Sequence, residues 1–157
     1  MLESIFNPMQ KVTPFLWYNN NVNEAVDFYT SIFKDSKIIS ISGPKGSVMS
    51  AVIELNGQTL NLFNGGPMFK FTEAISLFVN CETQDEVDYY WQKLSEGGEE
   101  SRCGWLKDKF GLSWQIVPDV LMKLLWDKDH VKANNVMQAM LKMAKLDISL
   151  LQEAYNK

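Results

Sequence analysis

"GLSWQIVP", residues 111–118, sets a glycine turn before a strand and places one carboxamide, Gln115, inside an otherwise apolar run. A shorter echo, "GQTLNLF" at 57–63, repeats the order: a glycine, a strand, and an amide, Asn61, four positions later. Successive side chains of a strand point to opposite faces, so both runs sort alike. Asn61 and Phe63 share one face, and Leu60 and Leu62 the other. Ser113, Gln115 and Val117 share one face, while Trp114 and Ile116 pack behind. In each run the apolar face calls for a helix, and the amide face is left to look into a hollow.

Working outward, the whole pattern is doubled. "EAVDFYTSIF" (24–33) aligns without gaps on "DEVDYYWQKL" (85–94), and both carry apolar groups at helical spacing. These are Val26, Tyr29, Ile32 and Phe33 in one, and Val87, Tyr90, Trp91 and Leu94 in the other. Strand-like runs precede each helix: "VTPFLWY" at 12–18 and "AISLFVN" at 74–80. Asn21 or Asn23 is placed to cap the first helix. Thr83 with Glu86 three residues on reads as a capping box for the second. "SKIISIS", "SVMSAVIEL" and "QTLNLF" follow the first helix, with Asn56-Gly57 suited to a hairpin turn. "EESRCGWL" and "LSWQIV" follow the second, joined by the turn "KDKFG", in which Asp108 and Lys109 are expected in solvent. Each half thus reads strand, helix, then two or three strands. Two halves side by side can close one large curved sheet with helices outside.

The chain has 157 residues, one domain's length, and its N-terminal residues 1–9 read as a leader or disordered segment. The tandem modules span 10–66 and 72–118. From 119 to 157 the pattern turns helical, and Val136, Met137, Met140, Leu141 and Met143 form an apolar stripe that needs a partner on this chain or a second one. Met-rich surfaces adapt to partners, so a homodimer is expected. A net charge of −4 argues against nucleic acid, because phosphate contacts need clustered Lys and Arg. No apolar run reaches the ~20 residues that span a bilayer. Two cysteines without CxxC spacing make no disulfide framework and suit a reduced, cytoplasmic setting. The single histidine, His130, opens a tail helix and cannot build a multi-His metal site.

The doubled pattern, with "FLWYNNNVNEAVDFYTSIF", "NGGPMFKFTEAISLFVNCETQDEVDYYWQKL", "CGWLKDKFGLSWQIVP" and the tail "VMQAMLKMAKLDI", resembles the glyoxalase/bleomycin-resistance (vicinal oxygen chelate) superfamily and, within it, the PhnB-like branch. Members of that branch are often named 3-demethylubiquinone 3-methyltransferases. The resemblance spans about 10–150. It implies an α+β fold of two β-α-β-β-β modules in a large curved mixed sheet, followed by C-terminal helices. It also implies metal ligands on the first and last strand of each module. Those positions fall on Pro14, or Thr13 one residue earlier, on Ala74 or Ile75, and on Asn61 and Gln115. Proline and alanine offer no donor, and two amides make a weak site for any divalent ion. No cofactor or metal is therefore expected.

Candidate ligand-binding residues follow from alternation. Asn61, Phe63, Ser113 and Gln115 lie on the last strands, Leu16 and Tyr18 on the first, and Ser76 and Phe78 on the fifth. Plain core packing competes for Leu16, Phe63 and Phe78. Hydrogen bonding within the sheet competes for the two amides. Cys103 stands near Lys107 without a neighbouring base and reads as structural, as does Cys81; no nucleophile–base pair appears at recognisable spacing. The expected function is metal-independent binding of a small molecule. The alternatives are an enzyme of the vicinal oxygen chelate type, a methyltransferase as the branch name suggests, and a non-catalytic dimeric interaction module. Methyl transfer needs S-adenosylmethionine, held on a glycine-rich strand–loop–helix turn, and "GGP" at 65–67 does not open a helix.

Overall fold

A computed structural model describes residues 10–45 and 47–157, so the expected leader lies outside the described residues. The described residues fall into two compact units, one up to residue 70 and one from 71 to 157.

The first unit runs β1 (Phe15–Tyr18), α1 (Val22–Ile32), β2 (Ser36–Ser42), β3 (Ser50–Leu55) and β4 (Gln58–Asn64). Its four-stranded sheet has the order β1-β4-β3-β2, with β1 and β4 parallel and the other pairs antiparallel. Val22, Ala25, Val26, Tyr29 and Ile32 of α1 are buried, as are Leu16, Tyr18, Ala51, Ile53, Leu60 and Leu62 of the strands. The Tyr18 and Tyr29 hydroxyls meet at 3.1 Å inside this layer. Asn56 and Gly57 take φ of 45° and 82°, the left-handed pair that a two-residue hairpin demands. Asn21 is the residue before α1, but its side chain does not cap; Asn64 Oδ1 accepts from Val22 N–H at 3.0 Å instead. The helix end is thus tied to the last strand.

The second unit repeats the plan with β5 (Ser76–Cys81), α2 (Gln84–Ser95), β6 (Glu99–Glu100), β7 (Trp105–Lys107) and β8 (Ser113–Pro118). The sheet order is β5-β8-β7-β6, with β5 and β8 parallel. Val87, Trp91 and Leu94 of α2 are buried, as are Val79, Cys81, Leu106, Trp114 and Ile116 of the strands. Thr83 accepts from Glu86 N–H as expected, while the Glu86 carboxylate reaches Glu82 N–H at 2.6 Å. The one large sheet read from the sequence thus resolves into two four-stranded mixed sheets, one per module.

Asp108 departs from expectation. It is 2% exposed rather than solvated. Its Oδ1 accepts from Phe110 N–H (2.9 Å) and Leu112 N–H (3.1 Å), and its Oδ2 accepts from Trp114 Nε1 (2.8 Å). One carboxylate therefore organises the β7–β8 turn and holds the indole behind the sheet.

The tail forms α3 (Asp119–Leu125), α4 (His130–Met140) and α5 (Ile148–Tyr155). Val136, Leu146 and Leu151 join Val117 and Leu121 in one core, with Met140 and Met143 packed against it. Part of the Met-rich stripe is thereby satisfied on the same chain, while Met137 and Leu141 stay about half exposed. Polar ties reinforce the docking. Gln84 donates to Leu146 C=O (3.1 Å) and accepts from Ile148 N–H (2.8 Å), and Lys145 pairs with Asp88 at 2.6 Å. Gly104 permits the close approach: at φ +83°, an added Cβ would lie 2.7 Å from Ile116 O and 3.0 Å from Leu146. Among the described residues no helix is long and apolar enough to cross a membrane.

Two stability measurements test this packing. Leu146→Ala should lower the unfolding free energy by about 3 kcal/mol in urea titration, since a fully buried leucine is lost to a cavity. Asp108→Ala should cost about 3 kcal/mol by stranding buried donors, with Asp108→Asn less damaging because the amide oxygen can still accept.

Candidate functional site in the second module

A strand face not covered by its helix can address a ligand. In the second module the register pairs Ser76 with Ser113 and Phe78 with Gln115 across β5 and β8, and Trp105 with Gln115 and Lys107 with Ser113 across β7 and β8. Paired residues share a face, so these six side chains lie together on the face away from α2. Gln115 Nε2 donates to Ser76 Oγ at 2.9 Å. Phe78 is 52% exposed.

Next to this group lies a pocket of about 420 Å³ lined by Glu73, Glu99, Glu100, Trp105, Lys107 and Ser113, among others. That volume suits a small organic molecule. Glu73 and Lys107 form an ion pair at 2.5 Å. The Lys107 ammonium, hydrogen-bonded to Glu73, holds that carboxyl below its usual range, and Glu73 in turn holds the Lys107 ammonium above its own. Glu99 stands opposite Lys107 in the β6–β7 register. Glu100 accepts from Trp91 Nε1 at 2.9 Å. Ser113 is 1% exposed, and its hydroxyl has no hydrogen-bond partner among the described residues. A buried polar atom with no partner is uncommon and asks for an explanation.

The first module carries a counterpart of the amide bridge. Asn61 Nδ2 donates to Thr13 Oγ1 at 2.7 Å, and Asn61 pairs with Phe15 across the parallel strands. Phe63 meets Phe15 and Trp17 at ring separations of 5.7 and 5.2 Å, and Trp17 meets Phe69 at 5.1 Å. Thr13, Phe15 and Trp17 are therefore the β1-side residues on the Asn61 face. Leu16 and Tyr18 are not: they pair with Leu62 and Asn64 and are buried toward α1. The sequence register, anchored on Pro14, was one residue out. The residues that meet the amides are Thr13, the alternative to Pro14, and Ser76, in place of Ala74 or Ile75.

Phe63, Ser76, Phe78, Ser113, Asn61 and Gln115 thus lie on the faces that alternation assigned them. Sequence reasoning missed Glu73, Glu99, Glu100, Trp105 and Lys107 as pocket residues. The signal available was the period-two placement of Trp105 and Lys107 opposite Gln115 and Ser113. Among the described residues no group of three or more His, Cys, Asp and Glu is gathered as for a metal ion. Burial pushes the Cys81 thiol up to about 12, so it stays protonated and inert near neutrality. Cys103 points its sulfur at Met140 C=O (3.6 Å) in the tail contact.

Comparison with known proteins places this geometry. The family model described as 3-demethylubiquinone-9 3-methyltransferase matches residues 10–117. A PhnB protein from Bacillus cereus, named for the same methyltransferase, is 38% identical over 69% of this chain and 99% of its own, with a TM-score of 0.64. Protein PA1353 from Pseudomonas aeruginosa is 18% identical over 69% of this chain and 97% of its own, with a TM-score of 0.59. The fosfomycin resistance protein FosX from Listeria monocytogenes is 17% identical over 78% of this chain and 97% of its own, with a TM-score of 0.56. The last two speak to the fold alone. No curated protein gives a significant sequence match. The chain belongs to the 3-demethylubiquinone-9 3-methyltransferase family, in the PhnB-like branch of the glyoxalase/bleomycin-resistance superfamily.

Proposed function

We propose that this chain is a metal-independent small-molecule binding protein whose ligand sits on the β5–β8 face of the second module. One observation carries the reading: Ser113, whose buried hydroxyl has no hydrogen-bond partner among the described residues, lines a pocket of about 420 Å³ together with Trp105 and Lys107. A ligand atom that bonds this hydroxyl would relieve a group the folded chain leaves unsatisfied.

The donor chemistry supports independence from metal. At the last-strand positions that the family resemblance assigns to metal ligands, each module holds an amide, and each amide is joined to a hydroxyl, Asn61 to Thr13 and Gln115 to Ser76. All four groups are neutral. Hard divalent ions favour charged oxygens, and softer ions favour imidazole or thiolate. These residues do not fit a divalent ion. The family name points to methyl transfer. That chemistry draws on S-adenosylmethionine, and Gly65–Gly66 lead from β4 into a loop instead of a helix.

Thermal-shift screening of a small-molecule library, with and without EDTA, tests the reading. At least one compound should raise Tm saturably, and EDTA should leave that shift unchanged. Ser113→Ala should weaken its binding about tenfold, roughly 1.4 kcal/mol, while leaving the ligand-free protein as stable or slightly more so. A stoichiometric Zn, Mn, Ni or Fe ion in native protein, whose removal abolishes binding, would overturn metal independence.

A further inference from the structure

The pocket's charges are unevenly matched. Glu73 and Glu99 bring two carboxylates against one ammonium, Lys107, while Glu100 pairs with Leu106 and turns its carboxylate to Trp91 of α2. That ammonium is already engaged: it pairs with Glu73 at 2.5 Å and faces Glu99 across the β6–β7 register. The whole chain adds a net charge of −4. An anion entering here would meet a negative rim and a cation held by its own counterion. A positive ligand would meet the reverse. Trp105 supplies an indole on the same face as Gln115 and Lys107, and an aromatic wall stacks on flat rings and attracts cations. Ser113 supplies the unpartnered hydroxyl, 1% exposed. Its burial and its place in the lining point to a ligand and not to a merely solvated acidic patch.

From this juxtaposition we infer that the pocket takes a small organic amine bearing an aromatic ring, the ammonium directed to Glu99 and the ring laid against Trp105. This rests on the small-molecule reading above and names the ligand's class. Glu99 sits on the exposed two-residue strand β6, so its substitution leaves the core intact. Glu73 and Lys107 behave as an adjustable pair. Removing the lysine frees a second carboxylate for the amine.

Three indoles of matched shape separate the outcomes: tryptamine (cation), tryptophol (neutral) and indole-3-acetate (anion), titrated calorimetrically into the full chain at pH 7.5 and low salt. Tryptamine should bind at least tenfold more tightly than indole-3-acetate, with tryptophol between them. Glu99→Gln should weaken tryptamine severalfold and leave tryptophol unchanged. Lys107→Gln should tighten tryptamine, whereas a pocket built for anions would lose its binding with that change. If indole-3-acetate binds as well as tryptamine, or if Lys107→Gln weakens tryptamine, the amine assignment fails. Absence of tryptamine binding at millimolar concentration overturns it too. Small-molecule binding itself falls only if no compound of the wider library shifts Tm.

Discussion

In both modules a carboxamide on the last strand reaches across a parallel strand pair to a hydroxyl on the first: Asn61 to Thr13 at 2.7 Å and Gln115 to Ser76 at 2.9 Å. The amide in each case lies opposite a phenylalanine, Phe15 or Phe78, and bonds the residue two positions before it. A parallel pair has no tight hairpin to set its register. A slip by one residue would turn every side chain to the wrong face. The bridge adds a directional contact at the place where register is least constrained by the chain. With it in position, Leu62 and Ile116 stay under their helices and the amides stay on the other side.

Around this shared bridge the modules diverge. Two residues before each amide stands Thr59 or Ser113, opposite Glu54 or Lys107. The edge strand then supplies the opposite charge, Lys37 to Glu54 at 3.4 Å in one module and Glu99 to Lys107 in the other. The same lattice positions carry reversed signs. Opposite Gln115 stands Trp105, where Asn61 faces Val52. The first module gathers rings on its amide face, Phe15, Trp17, Phe63 and Phe69. The second gathers charge, and with it a pocket. The backbone plan is repeated; the surface chemistry is not.

Much of this was legible because β4 and β8 alternate cleanly. Leu60 and Leu62 flank Asn61, and Trp114 and Ile116 flank Gln115, so their faces follow from hydrophobicity alone. β1 lacks that contrast. Phe15, Leu16, Trp17 and Tyr18 are all large and apolar, so composition cannot say which pair turns inward. The structure buries Leu16 and Tyr18, and the Tyr18 hydroxyl finds Tyr29, a tertiary contact that no local pattern encodes. Asp108 misled for a related reason. A charged residue in a turn is ordinarily solvated, and its burial depends on three donors converging from Phe110, Leu112 and Trp114. The tail stripe named its own need for a partner, but that Gln84 and Gly104 would receive it is visible only in three dimensions.

The choice of amides over carboxylates or histidines at positions 61 and 115 now has a physical reason. An amide donates to a neighbouring hydroxyl while keeping a carbonyl free of charge, so it can staple two strands without a counterion. A carboxylate at 115 would add a third negative charge to a face that already carries Glu73 and Glu99 beside its pocket. A histidine would offer a metal a strong ligand beside Ser76. Neutral staples leave the electrostatics of the face to Glu73, Glu99 and Lys107, on or beside the edge strands. There, side chains can change sign between modules without disturbing the strand pairing, and ligand preference can shift while the fold stays constant.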